Sequence, residues 1–185
     1  MIARRGAHAG AVATLVALCL TLSVGFSPGE ASAGSGRATS TIELRKLFPR
    51  EIRRIALRTT VPVLLPPKLP WAGVVPRLYL TGRSSKDRWS ITVAAAPGCG
   101  TATACFVASF EGRRGAPLPK AANVRLPGGQ PAAYTAIRCG ASCSPASLGF
   151  LHRGTLVTWK LKEPPKGGAR ALARLVPAAI VVGSR

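Results

Sequence analysis

The chain has 185 residues, with 26 lysines and arginines against 6 aspartates and glutamates, and its formal net charge is +20. Hydrophobic residues make up 47% of the chain and charged residues 17%. This balance excludes intrinsic disorder, which requires low hydrophobicity together with high charge. We therefore expect one folded, strongly basic domain.

Residues 1–33 have the features of a secretory signal peptide. Arg4 and Arg5 precede an apolar run over residues 11–26, and Ala31-Ser32-Ala33 forms a small-residue cleavage site. The apolar run is shorter than the roughly 20 residues of a membrane span, which favours cleavage over an uncleaved anchor. We expect export to the periplasm or the cell exterior and a mature chain without an integral membrane span.

The start of the mature chain is predicted as a tether followed by a basic helix. Residues 34–40 are small and polar and predict a flexible tether, so the single domain covers residues 41–185. Over residues 41–58, apolar side chains recur every three or four positions among arginines and lysines. This pattern predicts one amphipathic helix, or two short helices separated at Pro49. Five prolines in residues 61–76 then exclude a helix or a central strand and predict an extended connector.

The second half of the chain is predicted to be mostly strands, because the apolar period changes to two. Strands are expected at residues 78–80, 89–93, 106–110, 132–137, 147–151 and 155–161. Gly154 suits the hairpin loop between the last two strands. By composition, residues 112–115 and 127–129 are expected to be turns.

A helix is predicted near the C-terminus. It carries an apolar stripe that Pro177 interrupts, so we expect a kink or an end near Leu175. The stripe consists of Leu172, Leu175, Val176 and Ala179. The predicted fold class is α+β: an antiparallel β-meander with N-terminal and C-terminal helices packed on one face.

Four cysteines remain after the signal peptide, and an even number in an exported chain predicts two disulfides. Neighbour pairing joins Cys99 to Cys105 and Cys139 to Cys143, and both short segments lie in turn-forming sequence. A cross pairing such as Cys99 with Cys139 would close a longer loop and stabilise more, but short loops form more readily. A zinc site is the other alternative. Cys139 and Cys143 have suitable spacing for it, whereas Cys99 and Cys105 do not, and we expect no metal.

The two cysteine segments resemble those of a family of small exported bacterial proteins of unknown function, best known from cyanobacteria. The similarity covers roughly residues 42–180. It is carried by residues 98–105, by the Cys-Gly-Ala-Ser-Cys segment at residues 139–143, by the following hairpin and by the closing helix. The chain departs from the family at Pro177, where the family continues its helix, and at Phe150, where the family usually has Trp. The resemblance implies no catalytic residues, and we expect no cofactor.

Residues for catalysis are scarce in the mature chain. It contains one histidine, His152, and one aspartate, Asp87, so a hydrolase would need a cryptic site made of these two and Ser147. His152 lies in a predicted hairpin turn, which favours an exposed turn residue over a general base. The five carboxylates are scattered among basic neighbours, and ion pairing explains them better than glycosidase chemistry. We expect a protein without enzymatic activity, with this hydrolase as the alternative.

The positive charge is the strongest indication of function. After cleavage the chain has 24 basic and 5 acidic side chains, and 17 of the basic ones are arginines, which suit bidentate contact with phosphate or carboxylate. One group, here called the basic cluster, lies in the N-terminal amphipathic segment: Arg45, Lys46, Arg50, Arg53, Arg54 and Arg58. An exported chain does not meet nucleic acid, so anionic envelope polymers or lipid headgroups are the expected partners. A coding bias towards arginine is the alternative explanation.

Overall fold

The computed structural model describes residues 39–72, 77–99 and 104–183. The predicted signal peptide and residues 34–38 of the predicted tether lie outside the described residues. The helices are α1 (Leu44–Leu47), α2 (Pro49–Ala56) and α3 (Gly168–Leu175). The strands are β1 (Thr39–Ile42), β2 (Val63–Leu65), β3 (Leu69–Ala72), β4 (Tyr79–Ser85), β5 (Arg88–Ala94), β6 (Phe106–Arg114), β7 (Val124–Arg125), β8 (Pro131–Thr135), β9 (Arg138–Cys139), β10 (Cys143–Ser144), β11 (Ala146–His152), β12 (Thr155–Leu161) and β13 (Ile180–Val182).

The main sheet is antiparallel, as predicted, and its strand order is β4-β5-β6-β12-β11-β8-β7. The prediction of a single meander was wrong. The sheet consists of two meanders, β4 to β6 and β7 to β12, joined where β6 pairs with β12. Residues 115–123 contain two prolines and form no strand, and they carry the chain from β6 to the far edge of the sheet. The second meander therefore starts at β7, and β12 returns beside β6.

One face of the sheet, here called the core face, is apolar and buried. Ile91, Phe110, Trp159 and Leu148 form one row across β5, β6, β12 and β11, and all four are fully buried. Phe150 meets Trp159 edge to face, with ring centroids 5.3 Å apart and planes at 89°. The alternate residues of the same strands lie on the opposite face, here called the polar face, which carries Arg88, Ser90, Glu111, Arg113 and Lys160 as well as Val107 and Leu156.

The proline-rich connector is tied to the core face by two tryptophans. The indole N–H of Trp89 donates to the carbonyl oxygen of Pro62 at 3.0 Å, and that of Trp159 donates to the carbonyl oxygen of Leu64 at 3.2 Å. Both indoles are buried, and a buried indole N–H without an acceptor would be costly. These two bonds fix where residues 61–65 cross the sheet.

The connector contains two strands that the sequence did not indicate. β2 pairs with β13 and β3 pairs with β1, each as a two-stranded sheet outside the main sheet. This placement agrees with the expectation that prolines exclude a central strand. The pairing also corrects two boundaries. Thr39 and Ser40 belong to β1 rather than to the tether, and Thr41 and Ile42 belong to β1 rather than to the N-terminal helix, because β3 binds the backbone of all four residues.

The N-terminal amphipathic segment contains two short helices, α1 and α2, with Phe48 between them. Pro49 occupies the first position of α2, where its missing N–H costs nothing. Ile52, Ile55 and Ala56 are buried, and the Ile55 side chain lies where a Cβ of Gly82 in β4 would be. Within the described residues, no helix is long and apolar enough to cross a membrane.

The C-terminal helix ends at Leu175, as predicted from Pro177. Beyond the helix the chain turns at Pro177, and residues 180–182 form β13 on β2, so Ala179 of the apolar stripe lies outside the helix. The hairpin between β11 and β12 is confirmed. Arg153 and Gly154 both have positive φ, 49° and 73°, as a two-residue type I′ turn requires.

The turn predicted at residues 112–115 was also wrong, since β6 continues to Arg114. Gly112 lies within β6, and glycine is required there because the indole of Trp89 occupies the space that a side chain would fill. Arg113 and Arg114 are therefore strand residues too, and they pair with Leu156 and Thr155 of β12.

Both predicted disulfides are present as neighbour pairs. The Cα atoms of Cys99 and Cys105 are 6.0 Å apart. Those of Cys139 and Cys143 are 4.0 Å apart and face each other across the β9–β10 pair. The β9–β10 pair lies between β8 and β11 in the chain, and both of its cysteines are exposed.

Substitution of Gly112 tests how tightly Trp89 fills the core. We expect Gly112→Ala to lower the free energy of unfolding by about 1–3 kcal/mol, because the new methyl group overlaps the indole and overpacks the site. Gly149→Ala is the matched control, since a Cβ at Gly149 in strand β11 of the same sheet meets no atom closer than 3.9 Å. Urea denaturation measures both variants. Equal losses in the two would contradict the packing described.

Reduction should weaken the fold. The two disulfides close loops of seven and five residues, and each contributes about 2 kcal/mol in the chain-entropy model. We expect a lower unfolding temperature in reductant, with Cys139–Cys143 reduced first because it is exposed. A digest without reductant, analysed by mass spectrometry, should contain Cys99 linked to Cys105. Free thiols or a Cys99–Cys139 link would contradict the assignment.

Candidate anion-binding surface

The basic cluster lies on α1, on α2 and just beyond α2, and all six of its side chains are exposed. The buried side of α2 carries Ile52 and Ile55, so its arginines point away from the core. The helical period that buries the isoleucines therefore also places the arginines in solvent. Within the described chain, none of the five arginines of the cluster has a carboxylate within ion-pair distance.

Lys46 is the exception in the basic cluster, because it is already paired. Its ammonium lies 2.7 Å from the carboxylate of Glu43, which Lys68 also approaches at 3.7 Å. The hydrogen bond from Lys46 lowers the pKa of Glu43, and the positive charges of both lysines lower it further. Lys46 is therefore the member of the cluster least available to an external anion.

Helix α2 divides the basic cluster into two surfaces. On one side, Arg45 and Arg53 border a concavity of about 380 Å³ that Leu57 and Val182 also line. On the other side, Arg54 and Arg58 border a concavity of about 300 Å³ against edge strand β4. The first surface combines charge with exposed apolar side chains, and the second is dominated by arginine.

The second surface continues onto the polar face of the main sheet. A larger concavity of about 670 Å³ adjoins the one at α2 and shares Arg83 and Ser84 with it. Arg88 of β5 and Arg113 of β6 line it as well, and the two residues are direct cross-strand partners. We call the five arginines around these two concavities the arginine notch: Arg54, Arg58, Arg83, Arg88 and Arg113.

Three members of the arginine notch were not identified from the sequence. Arg83 and Arg88 lie in strands that were predicted too short, and Arg113 was assigned to a turn. The period-two pattern contained a usable signal, because buried Trp89 and Ile91 place residues 88 and 90 on the polar face. The pairing of Arg88 with Arg113 could not be predicted from the sequence, since it depends on the register between β5 and β6.

A small hydrogen-bond network holds α2 against the sheet and so brings the two parts of the notch together. The backbone N–H of Thr60 donates to the carbonyl oxygen of Lys86 at 3.0 Å, in the turn between β4 and β5. The Arg114 guanidinium donates to the carbonyl oxygen of Thr60 at 2.9 Å and lies 3.8 Å from the Asp87 carboxylate. Arg114 thus has internal partners, whereas its neighbour Arg113 faces the notch.

The residues of the alternative hydrolase site are not brought together. Ser147 and His152 both lie in β11, five positions apart. Strand geometry then places their side chains on opposite faces and about 16 Å apart along the strand. Asp87 is in the turn between β4 and β5 and pairs with Arg114. In the described part of the chain, no group of three His, Cys, Asp or Glu side chains is arranged to hold a metal ion.

His152 provides a pH test. Burial lowers the pKa of His152 below its ordinary value of 6.5, and the charge of Arg153 lowers it further. The folded state therefore binds this proton less tightly than the unfolded state does. The contribution of neutral His152 to the free energy of unfolding is fully present above a pH of about 6.5 and is lost as the pH falls below that value. We expect His152→Asn to reduce this acid sensitivity, measured as the urea midpoint at neutral and mildly acidic pH. An unchanged pH dependence would contradict the prediction.

Comparison with known proteins adds no family to this description. The chain matches no family model, no curated protein and no solved structure. The resemblance to the cyanobacterial family therefore stays a prediction from residues 98–105 and 139–143.

Proposed function

We propose that the chain is an exported, non-catalytic binding or structural module that acts at an anionic surface of the cell envelope. The observation that carries this proposal is the set of exposed arginines around α2 and the adjoining edge of the sheet, which have no carboxylate partners in the described chain. Arginines that stabilised the fold would be paired internally, as Arg114 is. Unpaired and clustered arginines suit an external anion.

The charge balance supports the same proposal. Among the described residues, Glu43, Asp87 and Glu111 form ion pairs with lysine or arginine. Most of the basic side chains in this part of the chain have no carboxylate within ion-pair distance. Such an excess attracts polyanions over distances of about 8 Å at physiological salt. The predicted signal peptide directs the chain to an envelope compartment, where polymers and lipid headgroups carry the negative charge.

The layered arrangement of the fold fits a binding module. In this proposal the N-terminal and C-terminal helices pack on the core face of the sheet and leave the polar face to a ligand. Two contacts support the arrangement: Ile55 of α2 lies against Gly82, and a Cβ at Gly168 in α3 would be 3.2 Å from the hydroxyl of Tyr134, a residue of the core-facing row. Residues 115–123 cover only part of the polar face, where Pro119 lies near Gly149.

Charge reversal in the basic cluster tests the proposal. We expect Arg50→Glu, Arg53→Glu and Arg54→Glu together to weaken binding to anionic vesicles or wall polymer at least about tenfold, which corresponds to about 1.4 kcal/mol. The control is the triple variant Arg138→Glu, Arg170→Glu and Arg174→Glu, which changes the net charge equally at exposed positions elsewhere. Co-sedimentation at low and physiological salt measures both. Equal losses would leave only non-specific attraction and would contradict a dedicated surface.

A further inference from the structure

We propose that the arginine notch is the ligand site within this basic surface and that its ligand is a linear polymer with phosphodiester groups in its backbone. This inference rests on the proposed function and makes it specific. Three of the five arginines lie outside the basic cluster, on strands β4, β5 and β6. The proposal therefore moves the centre of binding from α2 to the edge and polar face of the sheet.

The strongest indication is the pairing of Arg88 with Arg113. They are directly opposite each other on neighbouring strands, and both are exposed on the polar face. Directly opposed like charges destabilise a sheet, with Cβ atoms only about 5 Å apart. The fold gains nothing from this pair, whereas a bound anion between the two guanidinium groups would turn the repulsion into attraction.

The carboxylate that lines the same concavity does not neutralise the pair. Glu111 also lines the larger concavity, and it lies two residues before Arg113 in the same strand. Its carboxylate, however, is 3.3 Å from the ammonium of Lys160 on β12, on the side of β6 away from Arg88. Within the described chain, Arg88 and Arg113 have no acidic group within ion-pair distance.

The spacing of the arginines favours a ligand with repeated anionic groups. Arg83 is a diagonal neighbour of Arg88, because Arg83 pairs with Ser90, and such diagonal positions are about 7–8 Å apart. Arg54 and Arg58 are four residues apart at the end of α2, beyond Arg83. The notch thus presents three successive cationic positions: Arg88 with Arg113, then Arg83, then Arg54 with Arg58.

The chemistry at the first position favours phosphate over carboxylate. The lone pairs of a carboxylate lie in one plane, so a single guanidinium fork satisfies them best. The oxygens of a tetrahedral phosphodiester point out of one plane and can accept from two guanidinium groups that approach from different strands. Ser85 and Ser90 line the same concavity, and their hydroxyls can donate to the remaining phosphate oxygens or bind hydroxyl groups of the polymer.

The shape of the notch favours a polymer over a bilayer. The arginines surround two adjoining concavities, which a chain can enter and a flat membrane cannot follow. The large exposed apolar side chains that would insert into a bilayer are elsewhere. In the described part of the chain they are Leu47, Leu57, Ile137 and Val181, and none of these four lines either concavity.

The experiment compares three probes and two matched variants of the full mature chain. The probes are poly(glycerol phosphate), polygalacturonate as a carboxylate polymer, and vesicles of phosphatidylcholine with phosphatidylglycerol. The variants are Arg88→Gln/Arg113→Gln in the notch and Arg170→Gln/Arg174→Gln on α3. Each removes two exposed arginines, so the net charge of the two variants is equal. Isothermal titration calorimetry gives the dissociation constants over a range of salt concentrations.

We expect poly(glycerol phosphate) to bind most tightly, and the notch variant to lose at least about tenfold in affinity while the control loses less than about twofold. The plot of log affinity against log salt should become shallower by about 1.5 in the notch variant only, as loss of two phosphate contacts requires. The melting temperature of the notch variant should equal or exceed that of the unsubstituted chain, because the repulsion between Arg88 and Arg113 is removed. This readout separates lost binding from lost folding.

The outcomes distinguish this inference from the proposed function. Tighter binding to polygalacturonate or to vesicles, or equal losses in the two variants, would overturn the notch as a phosphodiester site and leave an anionic-surface module in place. Failure to bind any of the three probes at low salt would overturn the proposed function as well.

Discussion

The structure depends on two hydrogen bonds from buried indoles. Trp89 and Trp159 donate to the carbonyl oxygens of Pro62 and Leu64, and so fix a proline-rich segment that cannot enter the main sheet. That segment in turn holds both ends of the domain, because β3 pairs with β1 and β2 pairs with β13. Helix α2 directly precedes it, so the position of the arginines on α2 follows from the same two bonds.

The pattern of strands was predictable wherever one face is buried. Alternation around Trp89, Phe110 and Trp159 located β5, β6 and β12, and proline and glycine located the two-helix break and the β11–β12 hairpin. The order of the strands was not predictable, because β6 and β12 are neighbours in the sheet but are not consecutive in the chain. Their pairing depends on how side chains pack on the core face, which the sequence pattern does not reveal. β13 was missed for a similar reason: its partner β2 lies far away in the sequence.

The candidate site was predictable only in part. The helical period exposes the arginines of α2, so two of the five notch arginines, Arg54 and Arg58, could be predicted directly from residues 45–58. The positions of the other three depend on the register of the strands. A shift of one residue in the register between β5 and β6 would decide whether Arg113 lies opposite Arg88 or turns toward the core. Gly112 sets that register because it leaves room for the Trp89 indole. A glycine in the core face thus determines which arginines meet on the opposite face.

The pairing of β2 with β13 has a consequence for the order of folding. The two strands are separated by more than a hundred residues, and all of the main sheet lies between them. The connector therefore remains without this partner while most of the chain is synthesised, and its closure carries the entropy of a long loop. The pairing of β2 with β13 therefore completes the core late, after all the strands of the main sheet have become available.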